Sequence, residues 1–158
     1  MGHMGKSQRL PLRLPPHLEA RFPNLKNSYK VTSSDTGRYN CIAFAAGDES
    51  LYWDPAMLPA PGYYWPPRAQ RGIKLSALES AFATLNYEPC TGGQYEPGYE
   101  KVALYCDSNG DWTHAARQRG DGFWESKLGI SYDIRHETPH SVSGPEYGTV
   151  WCYMRRKK

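Results

Sequence analysis

Within the stretch GRYNCIAFAAGD, Gly37 to Asp48, one residue has the chemistry of a nucleophile: Cys41, which follows Asn40 and precedes the small and apolar run Ile42-Ala43-Phe44-Ala45-Ala46. A cysteine reacts as its thiolate, and the thiolate is favoured at a helix N-terminus or beside a cation. The change from polar to helix-forming residues at Asn40 predicts a short helix that carries Cys41 in its first turn and ends at Gly47. A thiol nucleophile also needs a base, with one ring nitrogen facing the sulfur and the other facing an orienting group. The candidates are His17, His114, His136 and His140. His114 is the best placed, in the middle of a predicted strand where Ala115 and Ala116 leave room for a substrate chain. Strand alternation predicts Trp112, Ala116 and Gln118 on its face.

Acyl transfer to a thiol also generates an oxyanion, which needs hydrogen-bond donors. The backbone N–H of Cys41 is the natural first donor, because amides at a helix start have no partner within the helix. A side chain of Asn40 or Tyr39 is expected to supply the second. Trp112 and Trp124 are candidate walls of a substrate cleft, as are Trp53, Tyr63, Tyr64 and Trp65. Cys90, Cys106 and Cys152 are expected to be structural. In DIRHETPHSVSG, His136 and His140 read as exposed loop histidines, with His136 also a candidate orienting group. Arg117 and Lys127 read as solvated charges or as contacts to an anionic substrate.

A cysteine opening a short helix, followed by a meander whose strand carries His114 and then the Gly120-Asp121-Gly122 turn, resembles the papain-like fold, in particular its NlpC-type branch of cell-wall endopeptidases. In that branch a polar third residue lies 12 positions after the histidine, which falls here on Ser126. Asn40-Cys41-Ile42-Ala43 stands where the branch has Asp-Cys-Ser-Gly, so cell-wall specificity is not carried over. Ser126 is shorter than the usual His, Asn or Gln, and Glu125, Asp133 or His136 could take its place. Together YNCIAFA, THAARQ and WESKLG resemble an uncharacterised bacterial family of small papain-like domains over roughly residues 22 to 156.

The elements that must position these groups follow from periodicity and punctuation. Pro15 and Pro16 open one helical turn through Phe22, closed by Pro23-Asn24. Five prolines and five aromatics within residues 49–72 predict an irregular, packed aromatic loop. Ser76-Ala77-Leu78-Glu79 has the form of a capping box opening a helix over 76–85. Strands are expected at 101–106, 112–118, 123–129 and 148–156, the first two joined by a turn centred on Asn109-Gly110. In the last strand Val150, Cys152 and Met154 should share one face. The fold class is therefore α+β, with short helices leading into an antiparallel meander, and by resemblance papain-like.

At 158 residues the chain is long enough for one domain. It divides into a tag remnant at 1–4 that includes His3, an N-terminal arm at 5–35, a single domain at 36–156 and a basic tail at 157–158. The net charge is +3, but Arg155 to Lys158 supply four positive charges. The body is therefore near neutral, with no basic stripe to suggest nucleic acid. No run approaches the roughly 18 apolar residues of a membrane span, and no cysteine pair has zinc-site spacing. Neither a metal nor another cofactor is expected. The setting is expected to be cytoplasmic, or that of a secreted effector or toxin domain within a longer chain. The function expected is cysteine-dependent hydrolysis of an amide bond in a peptide or protein, with acyl transfer to an amine as the enzymatic alternative. The non-enzymatic alternative is a binding module that uses the aromatic loop 52–65.

Overall fold

The computed structural model describes residues 9–57 and 60–158, so the tag remnant at 1–4 lies outside the described residues. In chain order the elements are helix α1 (Pro16–Glu19), a 3₁₀ turn (Pro23–Leu25), strand β1 (Tyr29–Ser33) and helix α2 (Cys41–Ala45). Strands β2 (Tyr52–Trp53) and β3 (Tyr63–Tyr64), helix α3 (Leu75–Ala83), and strands β4 (Glu88–Cys90) and β5 (Tyr99–Cys106) follow. The chain ends with β6 (Trp112–Gln118), β7 (Trp124–Lys127), β8 (Asp133–His136), a 3₁₀ turn (Pro139–Val142) and β9 (Thr149–Lys157). Seven strands form one antiparallel sheet in the order β1-β8-β7-β6-β5-β9-β4, and β2 and β3 form a separate parallel pair. The molecule is thus α+β, as the sequence predicts. No helix of the described residues is long and apolar enough to cross a membrane.

The sheet has two covered faces. On one, α2 and α3 bury Ile42, Phe44, Leu78 and Phe82 against Leu104, Ala115 and Met154. On the other, Leu14, Leu18, Phe22 and Leu25 of the N-terminal arm pack on Ala103, Tyr105, Ala116, Trp124 and Ile134. The predicted arm at 5–35 ends in a strand: Tyr29–Ser33 enters the sheet and pairs with β8. Pro23 opens a second helical turn where it was expected only to end the first. Helix α3 begins one residue before the predicted start, at Leu75, with Lys74 as its cap, so Ser76 does not cap it. The Glu79 carboxylate accepts from the Cys152 thiol at 3.6 Å instead. Of the four basic C-terminal residues, Arg155 and Arg156 are half-buried within the sheet, while Lys157, which ends β9, and Lys158 are exposed. Arg155 and Arg156 lie in β9 and pair with Glu96 at 2.6 Å and Glu100 at 2.7 Å.

Two register shifts flank Tyr105 and alter which side chains share a face. Tyr105 and Cys106 pair with His114 and Trp112, so Thr113 is the extra residue on β6. Leu104 and Tyr105 pair with Cys152 and Val150, so Trp151 is the extra residue on β9. A bulge inserts one residue and reverses the alternation beyond it. Trp112 therefore joins the helix-covered face, where it stacks on Trp65, while His114, Ala116 and Tyr105 face the arm. For the same reason Val150 lies on the arm side and Cys152 and Met154 on the helix side, contrary to simple alternation.

Candidate active site

Helix α2 begins where the sequence places it, because Asn40 caps it: Asn40 Oδ1 accepts the Ala43 amide at 3.1 Å. The same oxygen accepts the Trp53 amide at 3.2 Å, and Asn40 Nδ2 donates to the Trp53 carbonyl at 2.8 Å. The Asn40 oxygen and one of its two N–H donors are thus committed to tying the helix start to the aromatic segment. Tyr39 is committed too, its hydroxyl donating to Asp133 Oδ2 at 2.7 Å. Among the expected donors the Cys41 backbone N–H and the second N–H of Asn40 remain.

Cys41 is the first residue of α2 and is only 8% exposed. Burial pushes its thiol up to about 11, against the opposing pull of the Ala115, Ile42 and Cys41 amides and of the Lys127 charge. The thiol lies by the Ala115 amide, one residue along the strand from His114, where β6 and β7 part. Those two strands pair only at Arg117–Glu125 and Gln118–Trp124. Cys41 and His114 approach from opposite faces of the sheet and are not hydrogen-bonded to each other.

His114 is fully buried and belongs to a chain of hydrogen bonds that fixes its tautomer. His136 Nδ1 lies 2.8 Å from the Thr138 carbonyl, which only accepts, so Nδ1 carries the proton. A neutral His136 then leaves Nε2 as acceptor, and Ser126 Oγ donates to it at 2.8 Å. With its proton spent, the Ser126 oxygen accepts from His114 Nε2 at 2.9 Å. His114 Nδ1 is consequently an unprotonated, buried nitrogen with no hydrogen-bond partner among the described residues. Both rings are neutral: burial, assisted by the nearby His136, holds His114 well below the ordinary imidazole range, and burial holds His136 at about 4. Tyr147 lies flat on the His114 ring, with centroids 4.0 Å apart and planes 5° apart, and Tyr105 meets it edge-on at 5.1 Å.

The structure therefore brings together three of the expected groups, His114, Ser126 and His136, keeps Cys41 at the start of α2, and places the others elsewhere. His136 is not an exposed loop residue; it ends β8 and is 1% exposed, whereas His140 is exposed. Glu125 does not orient His114, being engaged by Arg117 at 3.0 Å on the helix-covered side. Asp133 serves Tyr39. Trp124 is core, buried against the arm side, and Trp112 donates Nε1–H to the Gly72 carbonyl, so neither lines a cleft at His114. Of the aromatic loop, Trp53 and Trp65 are buried while Tyr63 and Tyr64 are exposed. Arg117 lies over the Phe44 ring at 4.0 Å and donates to the Phe44 carbonyl, bracing α2.

Lys127 is not a solvated charge. It is fully buried, donates to the Ser131 carbonyl, and lies 5.1 Å from the Tyr39 ring centroid. Burial lowers its pKa, opposed by Asp133, Asp35 and Cys41. Sequence reasoning missed Lys127 and Tyr147 as neighbours of the site. The alternation of β7, with Lys127 one step from Ser126, could have assigned Lys127 to the helix-covered face. Tyr147, in a loop between two glycines, carried no such signal. Among the described residues, no group of three or more His, Cys, Asp or Glu could hold a metal ion. A cleft lined by Lys74, Leu75, Glu79, Cys106 and Trp151 opens beside α3 and includes neither Cys41 nor His114.

Residues 30–155 match the family described as "Domain of unknown function (DUF7689)". No curated protein and no solved structure matches the chain.

Proposed function

The chain belongs to the DUF7689 family, a domain of unknown function, and on that premise we propose that it is a papain-like, cysteine-dependent hydrolase of amide bonds in which Cys41 is the nucleophile and His114 the base. The observation that carries the reading is the hydrogen-bond chain from Thr138 through His136 and Ser126 to His114, which leaves one basic nitrogen buried and without a partner. An orphaned buried acceptor costs free energy, and a catalytic role is one reason for a fold to keep one. A thiol at the start of α2, beside the next residue of the same strand, is the group that nitrogen would serve.

In the reaction, Cys41 Sγ forms a bond to the substrate carbonyl carbon while its proton passes to His114 Nδ1. The Cys41 backbone amide donates to the resulting oxyanion. His114 returns the proton to the leaving amine as the C–N bond breaks, and water then cleaves the thioester with the same base. While His114 holds the extra proton, its Nε2–H can pass to Ser126 Oγ as the Ser126 proton moves to His136 Nε2. The positive charge is then shared between two imidazoles. Thiol and imidazole are both neutral at rest, so the thiolate forms on demand once substrate draws Sγ to Nδ1. Transfer of the acyl group to an amine uses the same intermediate.

A papain-like binding module without turnover is favoured by a different observation: Cys41 and His114 are both buried and share no hydrogen bond. Exposed Tyr63 and Tyr64 would be its contact surface. The two readings separate in one experiment. The wild type, Cys41→Ala and His114→Ala are incubated with an electrophilic acyl probe and then a peptide library. Acylation of Cys41 that is lost in both variants supports the hydrolase. Acylation of Cys41 unchanged by His114→Ala, with no library member cleaved, leaves the binding module.

A further inference from the structure

The ring that covers His114 belongs to a short loop with its own fastening. Gly144 and Gly148 exchange two backbone hydrogen bonds, of 2.9 and 2.8 Å, pinching residues 144–148 into a closed loop whose tip, Pro145-Glu146, is exposed. From it Tyr147 reaches inward over the imidazole, with its hydroxyl on the side of Cys41. The outward side of the loop is held by the N-terminal arm. Arg21 makes a two-pronged ion pair with Glu146, at 3.0 and 2.5 Å, Asn24 Nδ2 donates to the Ser143 carbonyl at 3.0 Å, and Phe22 packs on the Tyr147 ring at 5.3 Å. Within the sheet, the Thr113 hydroxyl donates to the Tyr147 carbonyl, so the bulged residue beside His114 is the loop's inner fastening.

We propose that loop 144–148 is a lid over the Cys41–His114 site and that the N-terminal arm is its latch, so that the structure represents a closed, resting form opened by release of the arm. This rests on the reading of Cys41 and His114 as the site, and it accounts for that site's burial. The lid swings on its two glycines, carrying Tyr147 off the imidazole face and clearing the approach to the thiol. The Arg21–Glu146 pair is the part of the latch that can be broken without disturbing the core, because both side chains are exposed or half-buried. Lids of this kind open from the least stable parts of a fold.

The test is the rate of carbamidomethylation of Cys41 by iodoacetamide at pH 8.5, followed site by site by peptide mass spectrometry. Arg21→Ala and Glu146→Ala should each accelerate labelling of Cys41 about two- to fivefold, the range an exposed ion pair can supply. The reversed pair, Arg21→Glu with Glu146→Arg, should return the rate to that of the wild type. Labelling of Cys90, on β4 at the far edge of the sheet, and of Cys152, half-buried on the helix-covered side, should stay unchanged throughout. Equal Cys41 rates in all four proteins would overturn the latch, as would parallel acceleration at Cys90 and Cys152, which reports general loosening. Repeating the series in His114→Ala keeps the two proposals apart. If the single variants still accelerate labelling but His114 makes no difference in any background, the latch stands and the hydrolase reading fails.

Discussion

Acidification should unfold this protein through its two buried histidines. Both His114 and His136 are neutral in the folded chain, the first held well below the ordinary value of 6.5 and the second at about 4. In the unfolded chain both return to 6.5. Between the two values the unfolded chain takes up protons that the folded chain refuses, so stability falls as pH drops through 6.5 and, for His136, levels off near 4. At pH 5 an unfolded histidine is almost fully protonated and its folded counterpart almost fully neutral, which costs about 2 kcal/mol for each residue. Together they remove about 4 kcal/mol between pH 7.5 and pH 5, a large share of the 5–15 kcal/mol typical of a domain. Urea denaturation at half-unit pH steps measures this directly. His136→Gln removes one titrating group and should flatten the profile by about half over the same interval, even if it lowers stability at pH 7.5. A wild-type loss below about 1 kcal/mol, or a His136→Gln profile parallel to the wild type, would refute the neutral assignment of these rings and with it the unprotonated Nδ1 of His114.

Three further outcomes follow from the same geometry. Ser126→Ala leaves a buried donor on His114 and a buried acceptor on His136, and should lower unfolding free energy by about 2–4 kcal/mol in urea; acylation of Cys41 should slow as well, because His114 loses the contact that fixes its tautomer. Asn40→Ala removes a helix cap and two bonds to the Trp53 backbone, and should cost about 2–3 kcal/mol by denaturant midpoint, with a smaller effect on Cys41 chemistry than His114→Ala. Gly148→Ala places a Cβ 2.1 Å from the Cys106 carbonyl oxygen at a φ of +74°, and should lower stability by more than about 2 kcal/mol in a thermal melt.

The local rules of the chain were legible because local chemistry decides them. The start of α2 follows from Asn40 and the apolar run after it, and the β5–β6 turn from Asp107, whose Oδ1 accepts the Asn109 and Asp111 amides. Strand β6 has the bounds the sequence predicts. Ser126 is reached only through the resemblance to the NlpC-type branch, and His136 is a candidate orienting group; the structure uses both in series rather than choosing one. What was not legible depends on partners distant in sequence. Tyr29–Ser33 is unremarkable as a segment and becomes a strand because β8 offers it an edge. His136 looks like a loop residue until β7 and β1 enclose its strand. The burial of Lys127 is invisible in its neighbours, since a long charged side chain is expected at the surface unless a carbonyl and an aromatic ring meet it inside.

The bulges at Thr113 and Trp151 carry the largest consequence that periodicity could not foresee. Without the extra residue at Thr113, regular alternation would keep Trp112 on the His114 face. With it, that side of the sheet is vacated beyond His114, and the space is taken by Tyr147, which also accepts the Thr113 hydroxyl. The second bulge lies on the other flank of Tyr105, at the beginning of the strand that follows the 144–148 loop. Two irregularities on the neighbours of one residue thus set both His114 and the ring that covers it. The same inserted residues that break the sequence pattern are the ones that let Tyr147 cover His114, and for that reason the burial of His114, unlike the positions of Cys41 and His114 in the chain, is a property of the assembled sheet.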